Sequence, residues 1–202
     1  MLRCFFTVVA LSFTFFINSS VVANTNSDTE EIKIITQRAE QGHASAQFNL
    51  GNMYYNGEGV RQDYAKAVEW YEQAAAQGHA GAQFNLGNMY GNGEGIRQDY
   101  AKAVEWYEQA AAQGDAGAQF NLGNMYYNGK GIRQDYAKAV EWYEQAAAQG
   151  DADAQFNLGL MYVGGIGVRQ NKHKAKEFFG QACDGGRQDG CDQYRELNQQ
   201  GY

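Results

Sequence analysis

The chain contains no proline, so none of its helices needs a kink. Cationic residues are in deficit, with 16 Lys and Arg against 23 Asp and Glu and a formal net charge of −7. That balance argues against nucleic acid and anionic lipid surfaces, which call for clustered positive charge. Histidine numbers three and cysteine three, and no metal-binding histidine pair forms. Nor is there a nucleophile elbow or a phosphate loop. Ser45 is the sole serine after Ser27, and Ala46-Gln47-Phe48 follows it, so the Ser-x-x-Lys motif of serine β-lactamases is missing. No apolar run is long enough to span a bilayer.

The longest such run, Phe5 to Ile17, is about 13 residues and has the length of a secretory leader core. Arg3 is the sole charge before Asp28, and Asn18-Ser19-Ser20 ends the run in polar residues. Val21-Val22-Ala23 then supplies small residues. The expectation is a signal peptide at 1–23 cleaved after Ala23, delivery to the periplasm or beyond, and no stable membrane insertion afterwards. Loss of Arg3 leaves the formal charge one unit more negative. Cys4 leaves with the leader, so Cys183 and Cys191 remain as an even pair. In an oxidising compartment they favour a disulfide, with two buried free thiols as the alternative.

What is abundant is repetition. Asp115 to Gly150 copies His79 to Gly114 except at three positions: His79 becomes Asp115, Gly91 becomes Tyr127 and Glu94 becomes Lys130. His43 to Gly78 is equally close to the second copy, and Asp151 to Gly186 is a divergent fourth, at a period of 36 residues. A unit of this length cannot bury its own apolar face, so copies stack into a solenoid. The expected organisation is a cap helix at 24–42, repeats at 43–78, 79–114, 115–150 and 151–186, and a C-terminal cap at 187–202.

Each unit reads as two helices. In the first, helix A runs from about Ala44 to Asn56 and helix B from about Tyr64 to Gln77. Asn56-Gly57-Glu58-Gly59 separates them, and Asp63 stands at the N-cap of helix B. Asp115 and Asp151 take the cap position of helix A where His43 and His79 stand earlier. At 100° per residue, Tyr64, Ala67, Val68, Trp70, Tyr71, Ala74 and Ala75 share a core face of helix B. Trp70, Trp106 and Trp142 then read as core anchors. Ala46, Gln47, Leu50, Gly51, Met53 and Tyr54 form the buried face of helix A.

The pattern Ala44-x-Ala46-Gln47-x-x-Leu50-Gly51-x-x-Tyr54-x-x-Gly57-x-Gly59-Val60 leads into Asp63-x-x-Lys66-Ala67-x-x-Trp70-x-x-x-Ala74-Ala75-x-x-Gly78. It resembles the SEL-one-like repeat family, a relative of the tetratricopeptide repeat. The fourth copy departs from it at Asn171, Phe178 and Gly180. The resemblance implies an all-α fold: a right-handed α/α superhelical solenoid of helix-turn-helix repeats, with helix A on the concave side. Ile32, Ile34 and Ile35 align with Val68, Trp70 and Tyr71, which implies the N-terminal cap helix. Cys183 and Cys191 are similar to the cysteine pairs of the family's cysteine-rich branch, where such a pair pins helix B to the next helix A.

The resemblance implies a protein–protein scaffold, monomeric and without cofactor or metal. Relatives in the cell envelope also act as signalling regulators, host-interaction factors and immunity proteins. Some cysteine-rich relatives are described as penicillin-binding or weakly β-lactam-hydrolysing, which makes a β-lactamase-like hydrolase the enzyme alternative. No catalytic residue is assigned.

The concave face is expected to hold an extended segment of a partner protein. Helices about 8–10 Å apart leave very roughly 27 Å of groove across four A helices. Such a groove takes about eight extended residues, or about three per repeat. The candidate rungs are Asn49, Asn52, Tyr55 and Asn56, then Asn85, Asn88 and Asn92, then Asn121, Asn124, Tyr127 and Asn128, with Asn157 in the last copy. Amides both donate and accept, so an asparagine ladder can bond a peptide backbone of any sequence. Asparagine is equally a common solvent-facing residue near helix ends. Phe48, Phe84 and Phe120 fill either ligand pockets or the seams between A helices. Near-identity of the middle copies points to a surface of uniform chemistry. In the fourth copy Leu160, Val163 and Ile166 replace Asn52, Tyr55 and Glu58, a candidate apolar hot spot or the seat of the C-terminal cap. Lys172, His173, Lys174 and Lys176 read as a solvated basic turn.

Overall fold

The computed structural model describes residues 19–202. The leader core expected within residues 1–18 lies outside the described residues. Ten α-helices and no strand make up the described chain: α1 Ser19–Glu40, α2 Ala44–Asn56, α3 Tyr64–Ala76, α4 Ala80–Asn92, α5 Tyr100–Ala112, α6 Ala116–Asn128, α7 Tyr136–Ala148, α8 Ala152–Gly164, α9 Lys172–Asp184 and α10 Gln188–Gln199. Each helix packs on the next, giving an all-α solenoid. The α1 helix packs on α2 in the way that α3 packs on α4.

Local chemistry sets the helix ends. Asp63 accepts a hydrogen bond from the Lys66 backbone N–H, and Asp99, Asp135 and Asn171 do the same in their units. Gly57 ends α2 at φ 76°, a left-handed conformation that a residue with a Cβ adopts at a cost. The cap exchange in helix A is graded. His43 makes no side-chain cap bond, His79 accepts weakly from Ala82 N at 3.3 Å, and Asp115 and Asp151 accept at 2.8 and 2.7 Å.

Within a unit, the two helices meet through an aromatic ring seated on glycine. A Cβ at Gly51 would lie 2.6 Å from the Tyr71 ring, and at Gly87, Gly123 and Gly159 it would lie 2.5 Å from Tyr107, Tyr143 and Phe179. Between units, the core is shared. Ala67, Val68, Tyr71, Ala74 and Ala75 of α3 cluster with Ala82, Leu86 and Met89 of α4, so no unit closes its core alone. The tryptophans differ from the core anchors expected of them. Trp106 is half-buried and packs against two successive clusters, bridging the seam between them. Ile34, aligned with Trp70, is 48% exposed, whereas Ile32 and Ile35 pack inward. Tyr64 also leaves the expected core face and is 38% exposed, its ring centroid 5.2 Å from that of Tyr55.

A buried glutamine ladder joins the units. Gln83 donates to the Ala75 carbonyl of the preceding helix at 3.3 Å, and its own oxygen accepts from Gln113 at 2.7 Å. Gln47, Gln119 and Gln155 make the corresponding bond to Ala39, Ala111 and Ala147. The oxygen of Gln155 is a buried acceptor without a partner, because Gly185 stands where Gln77, Gln113 and Gln149 stand in earlier units. At the next step the glutamine is replaced by Cys191, and the alanine by Cys183. The link that was a hydrogen bond across eight residues becomes a disulfide across eight residues, with Cα atoms 4.6 Å apart.

The C-terminal α10 packs on α9 and does not cover the apolar patch of the fourth unit, where Leu160 stays 43% exposed. The basic residues of α9 are engaged rather than solvated. Lys174 pairs with Glu144 at 3.4 Å, Lys172 lies over the Tyr202 ring, and Lys176 donates to Asn198 and the Tyr202 carbonyl.

Two outcomes follow from these contacts. Gly87→Ala should lower unfolding free energy by about 1–3 kcal/mol through overpacking against Tyr107. Gly91→Ala, one turn later in the same helix, has 3.8 Å of clearance. It should raise stability by about 0.5 kcal/mol through helix propensity. Urea denaturation of both variants checks the opposite signs. Reducing Cys183–Cys191 removes a short-loop constraint of about 2–3 kcal/mol. Amide exchange should then accelerate in α9 and α10 first, and a uniform rise along the chain contradicts this local account.

Candidate functional site

The A helices form the wall expected to be the inner one. The α4 and α6 helices touch directly, and side-chain amide hydrogen bonds join α4 to α2 and α6 to α4. Asn85 donates to Asn52 Oδ1 at 3.3 Å, and Asn121 donates to Asn88 Oδ1 at 3.2 Å. The same oxygens accept from the B helices: Tyr71 Oη donates to Asn52 at 2.7 Å, Tyr107 to Asn88 and Tyr143 to Asn124, both at 2.8 Å. Each oxygen thus ties a ring seated on glycine to the wall of A helices. Sequence reasoning placed these asparagines on one face but missed their tyrosine partners. The helix-wheel separation of core from outer face hides a hydroxyl that emerges at the boundary.

Of the expected rungs, then, Asn52, Asn88 and Asn124 spend their oxygens inside the molecule. Their Nδ2 groups make no side-chain hydrogen bond among the described residues. Asn49, Asn56, Asn92 and Asn128 are exposed. Asn56 and Asn92 donate to Glu58 and Glu94, and Asn128 donates to the Asn124 carbonyl at 2.8 Å. Asn157 sits beside the Tyr143 hydroxyl. Phe48 and Phe84 fill seams under Gly81 and Gly117, where a Cβ would lie 3.2 and 2.9 Å from their rings.

The seams between successive units at this wall are chemically unequal, in contrast to the uniform surface expected. At the first, Tyr55 Oη donates to Glu94 Oε2 at 2.9 Å and raises the tyrosine pKa. At the second, Gly91 takes the place of that tyrosine. Lys130 stands where Glu94 stands, its ammonium 5.4 Å from the centre of the Tyr100 ring. A cavity of about 210 Å³ opens there between Gly91, Tyr100, Tyr107, Asn121, Asn124 and Lys130. At the third, Tyr127 returns, packed edge-on against Tyr136 at 5.2 Å. A cavity of about 300 Å³ lies between Tyr127, Tyr143, Asn157, Leu160, Met161 and Ile166. Val163 packs against the core beneath.

Ser45 is exposed in the first turn of α2, at a shallow depression shared with Arg38, His43 and Gln77. Among the described residues no His, Cys, Asp or Glu group is arranged to hold a metal, and no helix is long and apolar enough to cross a membrane.

The Sel1 repeat family model matches residues 44–79, 80–115, 116–151 and 152–186. A protective antigen of uropathogenic Escherichia coli strains, displaying an SLR fold, is similar at 39% identity and TM-score 0.82 over 84% of this chain. A Sel1 repeat protein from Oxalobacter formigenes is similar at 37% identity and TM-score 0.77, also over 84% of this chain. The chain spans 36% and 50% of their respective lengths. Cysteine-rich protein B of Helicobacter pylori aligns at 28% identity and TM-score 0.52, over 67% of this chain and 98% of that one. No curated protein matches.

The buried hydroxyls give the inner wall an alkaline limit. Burial, opposed by hydrogen bonds from Asn85 and Asn121, lifts Tyr71 and Tyr107 from 10.0 to about 12, and burial lifts Tyr143 as well. A pKa raised by folding means the native state keeps protons that the unfolded chain releases. The associated stability is therefore complete below about pH 10 and lost as pH rises towards about 12. Urea midpoints should stay flat to about pH 10 and then fall, and Tyr71→Phe with Tyr107→Phe should flatten the fall. An equal decline in the double variant overturns this assignment.

Proposed function

We propose that this chain, which belongs to the Sel1 repeat family, is an exported scaffold that holds an extended segment of a partner protein in the groove lined by its A helices. The observation that supports this reading most directly is the state of the inner wall. Amide nitrogens of Asn52, Asn88 and Asn124 have no side-chain acceptor, and two cavities open between successive units at the same wall. An amide held by its oxygen is preorganised to donate, so a peptide carbonyl meets a fixed donor and loses little freedom of the protein on binding. Tyr71 and Tyr107 keep their protons at physiological pH and stay as the donors that hold those amides.

Export is supported by the leader pattern of the sequence and by the Cys183–Cys191 disulfide, which suits an oxidising compartment. The outer wall offers little by comparison. Glu69, Glu105 and Glu141 are exposed there. The groove reading needs no catalytic group, and the exposed Ser45 has neither lysine nor carboxylate among its neighbours at the depression it lines.

A photocrosslinking amino acid placed at Asn92 or Asn128, against one placed at Glu69 or Glu105, tests the face directly. Adducts with the same partner should form from the first pair and be absent from the second. Adducts from the glutamate positions alone would falsify the groove.

A further inference from the structure

Units two and three are distinguished by three exchanges, and the structure separates them into two kinds. His79 and Asp115 differ as helix caps, and the capping bond shortens from 3.3 to 2.8 Å. The other two exchanges, at Gly91 and Lys130, belong to different units in sequence yet line one cavity. Neither change improves packing. Gly91 removes a ring that elsewhere lies against the next aromatic at 5.2 Å. Lys130 replaces the glutamate that accepts from that ring's hydroxyl. Together they exchange a closed, acidic seam for an open one with a cation at its rim.

The cation is unmatched. Lys130 is exposed, and no carboxylate lines the cavity. The ion pairs of the described residues involve Lys33, Lys174, Arg187 and Arg195 but not Lys130. Among the described residues, its sole partner is the face of Tyr100. Around it stand the amides of Asn121 and Asn124 and the Tyr100 hydroxyl, whereas the Tyr107 hydroxyl and one N–H of Asn121 are already given to Asn88. On a chain of net charge −7, this is a pocket of donors and one positive charge. One step along, the third seam adds an apolar edge of Leu160, Met161 and Ile166 to its asparagines and tyrosines, with Leu160 43% exposed.

Resting on the groove reading above, we infer that these two seams select the partner by sequence. The second seam takes an Asp or Glu side chain, paired with Lys130 and bonded by the amides. The third takes an aliphatic or aromatic side chain against Leu160 and Ile166. The units are about 9 Å apart and an extended peptide rises about 3.3 Å per residue, so the two recognised side chains sit about three residues apart. The partner is thus a protein bearing an acidic residue and a large apolar residue at that spacing, in an extended segment.

The test is selection of a displayed library of random peptides, about twelve residues long, on the full-length chain. Two variants accompany it, and both install residues that other units already carry: Lys130→Glu, as in Glu58 and Glu94, and Gly91→Tyr, as in Tyr55 and Tyr127. Enriched peptides should share an Asp or Glu about three residues from Leu, Ile, Met or Phe. Lys130→Glu should weaken them about tenfold or more and turn the selected charge to Lys or Arg. Gly91→Tyr should close the cavity and weaken them regardless of charge. Peptides weakened by Gly91→Tyr but indifferent to Lys130→Glu overturn the charge selection and leave the groove standing. Peptides indifferent to both, or no enrichment at all, overturn the groove with it.

Discussion

Aromatic rings seated on bare backbone hold this molecule together. Tyr71, Tyr107, Tyr143 and Phe179 each press on a glycine of the partner helix, closer than any side chain would permit. That approach sets the distance between the helices of a unit, and the distance fixes where the ring ends. In three units the ring ends in a hydroxyl at the inner wall, bonded to an asparagine oxygen. One buried contact therefore orients the amide on that wall. The fourth unit, with Phe179, lacks the hydroxyl, and its rung is Leu160 instead of asparagine. The loss of donor and acceptor together avoids leaving either unpaired.

The joints between units follow a parallel logic with a different chemistry. A glutamine amide reaches back to an alanine carbonyl at each internal joint, and at the last joint the two positions become cysteines. The covalent joint between α9 and α10 stands where the hydrogen-bonded one stands between α7 and α8. The unpartnered oxygen of Gln155 marks the same transition from the other side, since Gly185 offers it no amide.

Most of the fold was legible in the sequence, because the repeat imposes the same capping, turn and packing requirements again and again. The Ala44–Asn56 span of helix A, the Asp63 cap and the left-handed Gly57 could be read from residue type and spacing alone. The wheel misplaced Tyr64 and Trp106, because it sorts a helix into inner and outer faces whereas a solenoid has seams as well. A tryptophan that bridges two clusters is neither core nor surface. The candidate site was legible as a face but not as a set of contacts. Nothing in the spacing of Asn52 and Tyr71 says that their side chains meet, since the pairing depends on ring height above Gly51. The inequality of the seams was visible as exchanged letters at Gly91 and Lys130, but their convergence in one cavity belongs to the stacking of units.

The middle joints are interchangeable. A further 36-residue copy inserted between the second and third units would find the same glycine, asparagine and glutamine partners on either side. The length of the inner wall is thus a quantity that duplication can change in whole steps, with no joint redesigned. Gly91 and Lys130 differ from their counterparts without touching those joints, so the length of the wall and the chemistry of its seams can evolve independently.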